Sequence, residues 1–395
     1  MNILVTNAKS RITYNIVKNL ALKGHRVFCA NSFSGAMTFY SRYCSGYFIY
    51  PSPFSGQKDF VDMLIYKIKK LKIDILIPVF EELFLISKYK NEIEKHVKIA
   101  IPDYSKVLIA HNKNRWQPIA MKLGIPVPNS YSIFEFIEKP AKVDQLQFPV
   151  LFKPKQGGGG WGISRIDSVE VFREILKSGS YYGLPFERFF VQEIISGETL
   201  CVAMIFSHGQ FRGKTCYRQI REYPVFNGQA TCRLSVANKE AEDYLQQLLE
   251  YLQWHGVCQV DFIIDNNTGK PYLIDINPRF WGSLVQGIAS GVDFPNMICE
   301  IAAKGDVPIV ESFSEGVQTR WLGGELCGFV KHFNKAEKKT EFLKDFFMPI
   351  NKTKQLDDFS WNDPIPFFVW SLASLLNAIK FKKTKKHDSL MGEWE

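Results

Sequence analysis

Short apolar runs alternate with amphipathic stretches over the amino-terminal part of the chain. Residues 3–6, 26–30 and 73–79 have the continuous apolar character of buried strands. Between the first two runs, apolar residues recur at the spacing of one helix face, and Gly24 follows where that helix should end. This alternation predicts a doubly wound α/β domain over residues 1–108.

The turn after the first strand lacks a dinucleotide-binding signature. It reads Asn-Ala-Lys-Ser over residues 7–10, where a dinucleotide-binding domain would have G-x-G-x-x-G. We therefore do not expect a dinucleotide to bind at this turn.

Further along the chain, period-2 alternation predicts a β-hairpin with its turn at residues 266–270. The alternation groups Leu273, Asp275 and Asn277 on one face of the second strand. If Asp275 pairs with Asp261 of the first strand, the midpoint falls inside the turn, so the register is self-consistent.

The polar face of this hairpin carries groups that suit a magnesium site. Two carboxylates and an amide oxygen are the hard oxygen ligands that Mg²⁺ prefers when it also contacts substrate phosphates. Arg279 lies just beyond them, where a planar cation can bind a γ-phosphate or a developing anion. Taken alone, the pattern also fits an ordinary hairpin with solvated aspartates.

A glycine-rich loop follows an apolar run that ends at Lys153. The loop glycines are Gly157, Gly158, Gly159, Gly160 and Gly162. Successive glycines bring backbone N–H groups close to a ligand, as phosphate-binding loops require, although the spacing is not that of a Walker A loop. Residues 163–166 resemble a returning strand, so the pattern predicts a flap with Lys153 directed at phosphates. The alternative is a flexible surface linker.

A further buried strand, at residues 189–195, ends in a short polar turn. Backbone groups at this strand end, together with Glu193, are expected to bind the edge of a purine.

In this order along the chain, these segments resemble the ATP-grasp superfamily, which includes D-alanine–D-alanine ligases, biotin carboxylases and carbamoyl-phosphate synthetase large subunits. The resemblance implies a two-subdomain ATP-grasp α+β fold over residues 109–310, after the α/β domain. A small lid subdomain is expected at about 125–195 and a larger one at about 196–310. The continuation N-P-R-x-W-G-S over residues 277–283 resembles a bacterial subfamily of carbamoyl-phosphate-synthetase-like carboxylate–amine ligases.

The resemblance also implies roles for individual residues. The implied ATP-binding set is Lys113, Lys153, Gly157, Gly158, Gly159, Gly160, Gln192, Glu193, Ile194, Ile195 and Glu198. The implied ligands of Mg²⁺, or of Mn²⁺ in its place, are Asp261, Asp275 and Asn277. The implied catalytic residues are Arg279, Lys153 and Asn277. The family usually has glutamate at the position of Asp275, and the shorter side chain leaves open whether one metal ion or two would bind.

A ligase must also hold its carboxylate substrate, and three arginines are candidates for binding that carboxylate, namely Arg218, Arg221 and Arg320. Arg221 and Arg320 are favoured, because Y-R-x-x-R-E-Y-P and V-Q-T-R-W recur in the same subfamily. Ser283, at the end of the N-P-R-x-W-G-S motif, is assigned to the substrate with them.

The implied reaction is ATP-dependent activation of a carboxylate as an acyl phosphate, followed by its joining to an amine with release of ADP and phosphate. A role in cell-surface glycan or small-metabolite biosynthesis would suit such a ligase. Three alternatives stay open: an ATP-grasp kinase, a bicarbonate-dependent carboxylase and a non-catalytic nucleotide-binding scaffold.

Composition adds limits to this interpretation. The net charge of +9 fits nucleotides and acidic substrates, and no nucleic-acid-binding motif is present. The eight cysteines include no C-x-x-C pair and the seven histidines no H-E-x-x-H, so zinc is not expected. The start of the chain reads as a buried strand and not as a signal peptide, which predicts a cytoplasmic protein. A homodimer is also expected.

The carboxyl-terminal extension, residues 311–395, has a pattern of its own. From Pro364 an apolar run of about 16 residues is followed by five lysines within seven positions. The run is too short for a comfortable transmembrane helix. It predicts either a hydrophobic helix docked on the enzyme with a basic tail, or an amphipathic anchor that makes peripheral contact with a membrane.

Overall fold

The computed structural model describes residues 1–155, 162–225, 228–347 and 354–381. The strands are β1 Asn2–Val5, β2 Arg26–Asn31, β3 Gly46–Ile49, β4 Ile75–Ile77, β5 Ser130–Ser132, β6 Val150–Pro154, β7 Ser164–Ile166, β8 Ser180–Tyr181, β9 Leu184–Pro185, β10 Phe189–Glu193, β11 Gly197–Ser207, β12 Gln210–Tyr223, β13 Gln229–Ser235, β14 Gly256–Asp265, β15 Pro271–Asn277, β16 Gln318–Arg320 and β17 Lys354–Leu356. The helices are α1 Arg11–Leu22, α2 Gln57–Leu71, α3 Glu82–Lys88, α4 Lys90–Ile93, α5 Tyr104–His111, α6 Lys113–Lys122, α7 Ile133–Glu138, α8 Val169–Lys177, α9 Lys239–Tyr251, α10 Leu284–Ala289, α11 Phe294–Lys304, α12 Leu322–Lys335, α13 Lys339–Phe347 and α14 Ile365–Phe381. Across these ranges, every helix is too short or too polar to cross a bilayer.

The amino-terminal part is built on a parallel sheet with the strand order β3-β2-β1-β4. Helix α1 packs in the buried core on one face of the sheet, and helix α2 packs in the core on the other face. The predicted doubly wound arrangement is therefore confirmed. The chain adds strands on one side of β1 and then crosses to the other side to form β4, so the carboxyl ends of β1 and β4 flank the point where strand order reverses.

Two further large sheets follow. The antiparallel sheet β5-β10-β6-β7 packs against helices α7 and α8, and it contains the returning strand β7 that the glycine-rich pattern predicts. The seven-stranded sheet β15-β14-β11-β12-β13-β16-β17 carries helix α9 on one face. Its other face shares a core with the amino-terminal sheet, because Ile3 and Val5 of β1 belong to the same buried cluster as Cys201 and Ala203 of β11. The amino-terminal sheet and the large sheet therefore form one packed body.

The carboxyl-terminal extension is tied to this body by buried polar contacts. Strand β17 pairs in parallel with β16 and extends the large sheet. Directly after it, Asp357 accepts a hydrogen bond from Arg233 at 2.6 Å, and both side chains are almost completely buried. Asp358 accepts from the backbone N–H groups of Leu322 and Gly323, each at 2.9 Å. The contact with Arg233 of β13 ties the extension to the large sheet, while the β16–β17 pairing and the Asp358 contacts lie within the extension itself.

We predict that Asp357→Ala destabilises the protein by about 3–5 kcal/mol, because it leaves the buried Arg233 guanidinium without its carboxylate. Urea unfolding followed by circular dichroism measures the change. The matched control is Asp144→Ala, which removes an exposed ion pair with Arg173 and should cost at most about 1 kcal/mol. Equal effects of the two substitutions would contradict the structural role of the buried pair.

Candidate active site

A cavity of about 520 Å³ opens where residues of the three large sheets come together. The hairpin β14–β15 contributes its polar face, and the small antiparallel sheet contributes Lys153 and Pro154. Loops of the amino-terminal sheet, with residues such as Asn7 and Glu81, also line the cavity. Most of the predicted catalytic and metal-binding residues therefore line a single cavity.

The hairpin has the predicted register at its polar end. Asp261 pairs with Asp275, as the position of the turn predicts. The alternation is wrong beyond that point, because a β-bulge follows Asp261 and Phe262 pairs with Leu273. The extra residue, Ile274, lines the cavity, whereas Leu273 is buried in the core under α9. A bulge adds one residue to one strand and so reverses the faces on which later side chains lie.

The carboxylate of Asp261 is held by two donors. Its Oδ1 accepts from Cys201 Sγ at 3.0 Å and from Gln259 Nε2 at 2.7 Å, and Asn277 in turn donates to Gln259 at 2.8 Å. Burial, followed by the charge of Asp275, raises the pKa of Asp261. Two neighbouring carboxylates in such a place favour a bound cation.

Two lysines bring positive charge to the same cavity. Lys113 Nζ lies 2.6 Å from Asp275 Oδ1 and forms a largely buried ion pair. Lys153 Nζ donates to Gln192 Oε1 at 2.7 Å. Burial, and then the charge of Lys113, lowers the pKa of Lys153 to about 8. A partly desolvated ammonium group of this kind gains more from an anionic ligand than an exposed one does.

Arg279 lines the cavity beyond the hairpin. Its guanidinium lies 4.1 Å from the centre of the Phe80 ring, and Nη1 donates to the carbonyl oxygen of Phe280 at 3.0 Å. The aromatic ring and the backbone together fix a planar cation next to the two aspartates.

Of the predicted nucleotide-binding residues, Lys113 and Lys153 line the cavity. Gly157, Gly158, Gly159 and Gly160 lie outside the described residues. Gln192 is buried and positions Lys153, while Glu193 accepts from the backbone N–H and the side-chain amide of Asn129. Among the residues that the structure describes, neither these two nor Ile194, Ile195 and Glu198 line the cavity. Their contacts with a nucleotide stay predictions.

The geometry opposes the predicted carboxylate-binding role of Arg221 and Arg320. The guanidinium of Arg221 is bound by Glu325 at 2.6 Å and by Asp345 at 2.9 Å. Arg320 donates to the carbonyl oxygen of Phe346 at 2.7 Å and lies 3.1 Å from Asp345. Both arginines are occupied in holding α12 and α13 on the sheet, and neither lines the described part of the cavity.

Ser283 does line the cavity, and its Oγ accepts from Arg233 at 3.3 Å. The third candidate arginine, Arg218, forms an exposed ion pair with Glu198 at 3.2 Å. Two cationic residues after the first strand, Lys9 and Arg11, also line the cavity, and the sequence patterns did not single out Arg11. Its position after the first strand of a parallel sheet was the available signal, because ligands bind at the carboxyl ends of such strands.

The donor set of the hairpin suits a metal ion that shares its ligands with a substrate. Within the described ranges, no three His, Cys, Asp or Glu side chains lie close enough to form a metal site by themselves. The candidate set here has two aspartates and one asparagine, which is a set typical of Mg²⁺ bound together with water and phosphate oxygens.

Comparison with known proteins agrees with this geometry. Residues 110–283 match the family model described as the ATP-grasp domain. Residues 110–283 are therefore an ATP-grasp domain. The matched ATP-grasp domain contains every predicted metal ligand and both cavity lysines.

Individual relatives are distant. Urea amidolyase of Saccharomyces cerevisiae is 27% identical over 216 residues, which are 51% of this chain and 11% of that protein. Carbamoyl phosphate synthase large chain of Lachnoclostridium phytofermentans is 26% identical over 183 residues, covering 43% of this chain and 16% of that protein. This chain therefore spans only a small part of the length of these relatives.

Among solved structures, N5-carboxyaminoimidazole synthetase from Staphylococcus aureus, complexed with ADP, has the same fold. The match has a TM-score of 0.65 at 13% identity and covers 88% of this chain and 96% of that chain.

The contact between Cys201 and Asp261 gives a test of the site geometry that needs no substrate. Burial and the charge of Asp261 raise the pKa of the Cys201 thiol well above its usual range, so iodoacetamide at pH 8 should label it far more slowly than the exposed Cys327. Asp261→Asn removes the charge and should speed the labelling of Cys201. Peptide mass spectrometry measures both rates. Equal labelling of the two cysteines in the unmodified protein would contradict the arrangement.

Proposed function

We propose that this protein is an ATP-dependent ligase that activates a carboxylate as an acyl phosphate and joins it to an amine, releasing ADP and phosphate. The observation that carries the proposal is that two buried lysines and a paired set of carboxylates face one cavity within an ATP-grasp domain. Lysines of this kind bind phosphates, and carboxylates of this kind bind the accompanying metal ion.

The residues present fit ATP with Mg²⁺. Asp261, Asp275 and Asn277 would hold the metal ion, and the ammonium of Lys113 already lies against Asp275, so this carboxylate accepts a cation at that position. A bound Mg²⁺ would supply positive charge to the phosphate oxygens. Asp275 is shorter than the glutamate usual in the family, and we propose at least one metal ion here.

The side chains of this chain would act mainly by position and charge. Lys113 and Lys153 would bind phosphate oxygens, with Gln192 holding the Lys153 ammonium in place. Arg279, fixed on Phe80, would stabilise negative charge on the phosphoryl group and on the reacting carbonyl oxygen. The enclosing walls would limit the access of water to an acyl phosphate.

A carboxylase that uses bicarbonate is the second candidate, because acetyl-CoA carboxylase 1 of Oryza sativa subsp. japonica also stands among the similar proteins. The two candidates differ in the carbon that is activated. Incorporation of labelled bicarbonate into product would favour the carboxylase, and an amide product without it would favour the ligase. A cytoplasmic location and a homodimer stay predictions.

We predict that Lys153→Ala and Asp275→Asn each reduce ATP turnover by at least about 100-fold while the fold is retained, because each removes a charge that acts on phosphate or metal. ADP release is measured with a panel of amino acids and sugar acids, and mass spectrometry identifies the product. ADP, and not AMP with pyrophosphate, is the expected nucleotide product.

Surface substitutions of the same chemistry serve as controls: Lys142→Ala and Asp144→Asn should leave turnover unchanged. Near-normal turnover in the Lys153→Ala or Asp275→Asn variant would contradict the assignment of these residues to the active site. Release of AMP would instead indicate an adenylating reaction.

We also propose that helix α14 makes peripheral contact with an anionic membrane. Its outward face carries five exposed apolar residues at helical spacing: Ile365, Phe368, Leu372, Leu375 and Leu376. Trp361, just before the helix, is 83% exposed. The inner side is held on the protein, where Trp370 packs against Trp321. Lys380 lies in the last turn of the helix and four more lysines follow in the sequence, and each lysine adds about 1 kcal/mol of attraction to anionic lipid.

Sedimentation with phosphatidylserine vesicles at low salt should therefore remove the protein from solution, and the double variant Leu372→Asp/Leu375→Asp should stay in the supernatant. Met121→Asp, on a different exposed surface, is the control and should sediment like the unmodified protein. If the unmodified protein does not sediment, or the double variant sediments equally, the helix is only a docked element.

A further inference from the structure

The side-chain amide of Gln259 lies between two of the three candidate metal ligands, Asp261 and Asn277. Gln259 and Asp261 are two residues apart on β14, so their side chains share one face of the strand, and Asn277 of β15 is paired directly with Gln259. The β-bulge follows Asp261 and leaves this end of the hairpin regular. Gln259 is only 3% exposed. The hairpin therefore holds a buried amide in contact with both ligands.

The two ends of this amide have different partners. Nε2 of Gln259 donates to Asp261 Oδ1 at 2.7 Å, and Oε1 accepts from Asn277 Nδ2 at 2.8 Å. A carboxylate that binds a metal ion is ionised and can only accept hydrogen bonds, so the nitrogen of Gln259 must face Asp261. The oxygen of Gln259 then faces Asn277, which must turn its own NH₂ group toward it. The charge of Asp261 thus fixes the orientation of Asn277 through Gln259.

This orientation leaves oxygen atoms free for a cation. Within the described part of the chain, Asn277 Oδ1 has no hydrogen-bond donor, because the nitrogen of that amide makes the contact with Gln259. Asp261 Oδ1 already accepts two hydrogen bonds, so Oδ2 is its free oxygen. Oδ1 of Asp275 is paired with Lys113, which leaves its Oδ2. Mg²⁺ binds oxygen, and a reversed Asn277 would present an NH₂ group instead, so Asn277 can be a ligand only in the orientation that Gln259 enforces.

We infer that Gln259 is a positioning residue of the metal site: it keeps the carbonyl oxygen of Asn277 free for the cation and fixes which oxygen of Asp261 remains free. This role rests on the proposed ATP- and Mg²⁺-dependent function and adds a residue to that site. Gln259 acts through its neighbours, since both ends of its amide are already used. If it only filled space, an apolar side chain of the same size would serve equally well.

The test measures Mn²⁺ binding to the full chain, with the electron paramagnetic resonance signal of the free ion as the readout. Gln259→Met keeps the size of the side chain and removes both hydrogen bonds, and it should weaken Mn²⁺ binding at least about tenfold. Gln259→Leu should have the same effect, so the outcome does not depend on one variant folding. Gln247→Met, the same change at an exposed position of α9, is the control and should bind Mn²⁺ like the unmodified protein.

A double-variant comparison separates positioning from packing. Asn277→Asp has oxygen at both positions of its side-chain group, so it needs no partner to set its orientation. Adding Gln259→Met to Asn277→Asp should therefore change Mn²⁺ affinity by less than about threefold. An equal loss of affinity in both backgrounds would show that Gln259 only fills space, and would overturn the inference.

ADP binding, followed by calorimetry in the presence of EDTA, does not involve the metal ion and should be the same in all variants, which also shows that they fold. Equal Mn²⁺ affinity of the Gln259→Met variant and the unmodified protein, or no Mn²⁺ binding by a protein that binds ADP, would overturn the inference. Failure of the proposed function appears separately, as a protein that binds ADP neither with Mg²⁺ nor without it.

Discussion

The opposed carboxylates of Asp261 and Asp275 are the constraint around which the site is arranged. Two negative charges facing each other across a hairpin are unfavourable in an enclosed cavity unless cations lie nearby. The protein supplies one cation directly, as the Lys113 ammonium on Asp275, and binds Asp261 with a thiol and an amide. Positive and negative side chains therefore lie close together in the cavity. A polyanion bound with a metal ion requires such an environment, because each of the two needs partners of opposite charge.

The three large sheets contribute different parts of that balance. The hairpin of the large sheet carries the acids, and the small antiparallel sheet carries Lys153 on a strand whose neighbour supplies Gln192. The amino-terminal sheet adds polar side chains at the carboxyl ends of its strands. No single sheet contains a complete site, so the chemistry depends on the packing that holds the sheets together.

The parts of the fold and of the site that depend on residues close together in the sequence could be predicted. The position of the turn fixes the pairing of Asp261 with Asp275, and the glycine-rich pattern between apolar runs predicts the strands β6 and β7. The bulge at Ile274 was not predictable, because either alternation satisfies the local sequence and tertiary packing selects one.

The roles of Arg221 and Arg11 could not be predicted, because they depend on residues far away in the sequence. Arg221 lies in a motif typical of the subfamily, yet its partner Glu325 lies at a separation of 104 residues along the chain. A sequence pattern shows that an arginine is present, but it does not show which carboxylate will form an ion pair with that arginine in the fold. Arg11 was missed for the reverse reason, since it lies in no recognisable motif and its only signal is its position after the first strand of the parallel sheet.

The contact between Asp357 and Arg233 also limits how the protein can be divided. Residues 110–283 form the part that matches the ATP-grasp family, but Arg233 within it needs a carboxylate supplied from beyond residue 350. The same stretch shares its buried core with strand β1. An isolated fragment of residues 110–283 would keep the two cavity lysines and the acidic hairpin. It would also expose apolar surface and leave the Arg233 guanidinium without its carboxylate. The stretch that matches the family model therefore does not contain all of the contacts that stabilise it.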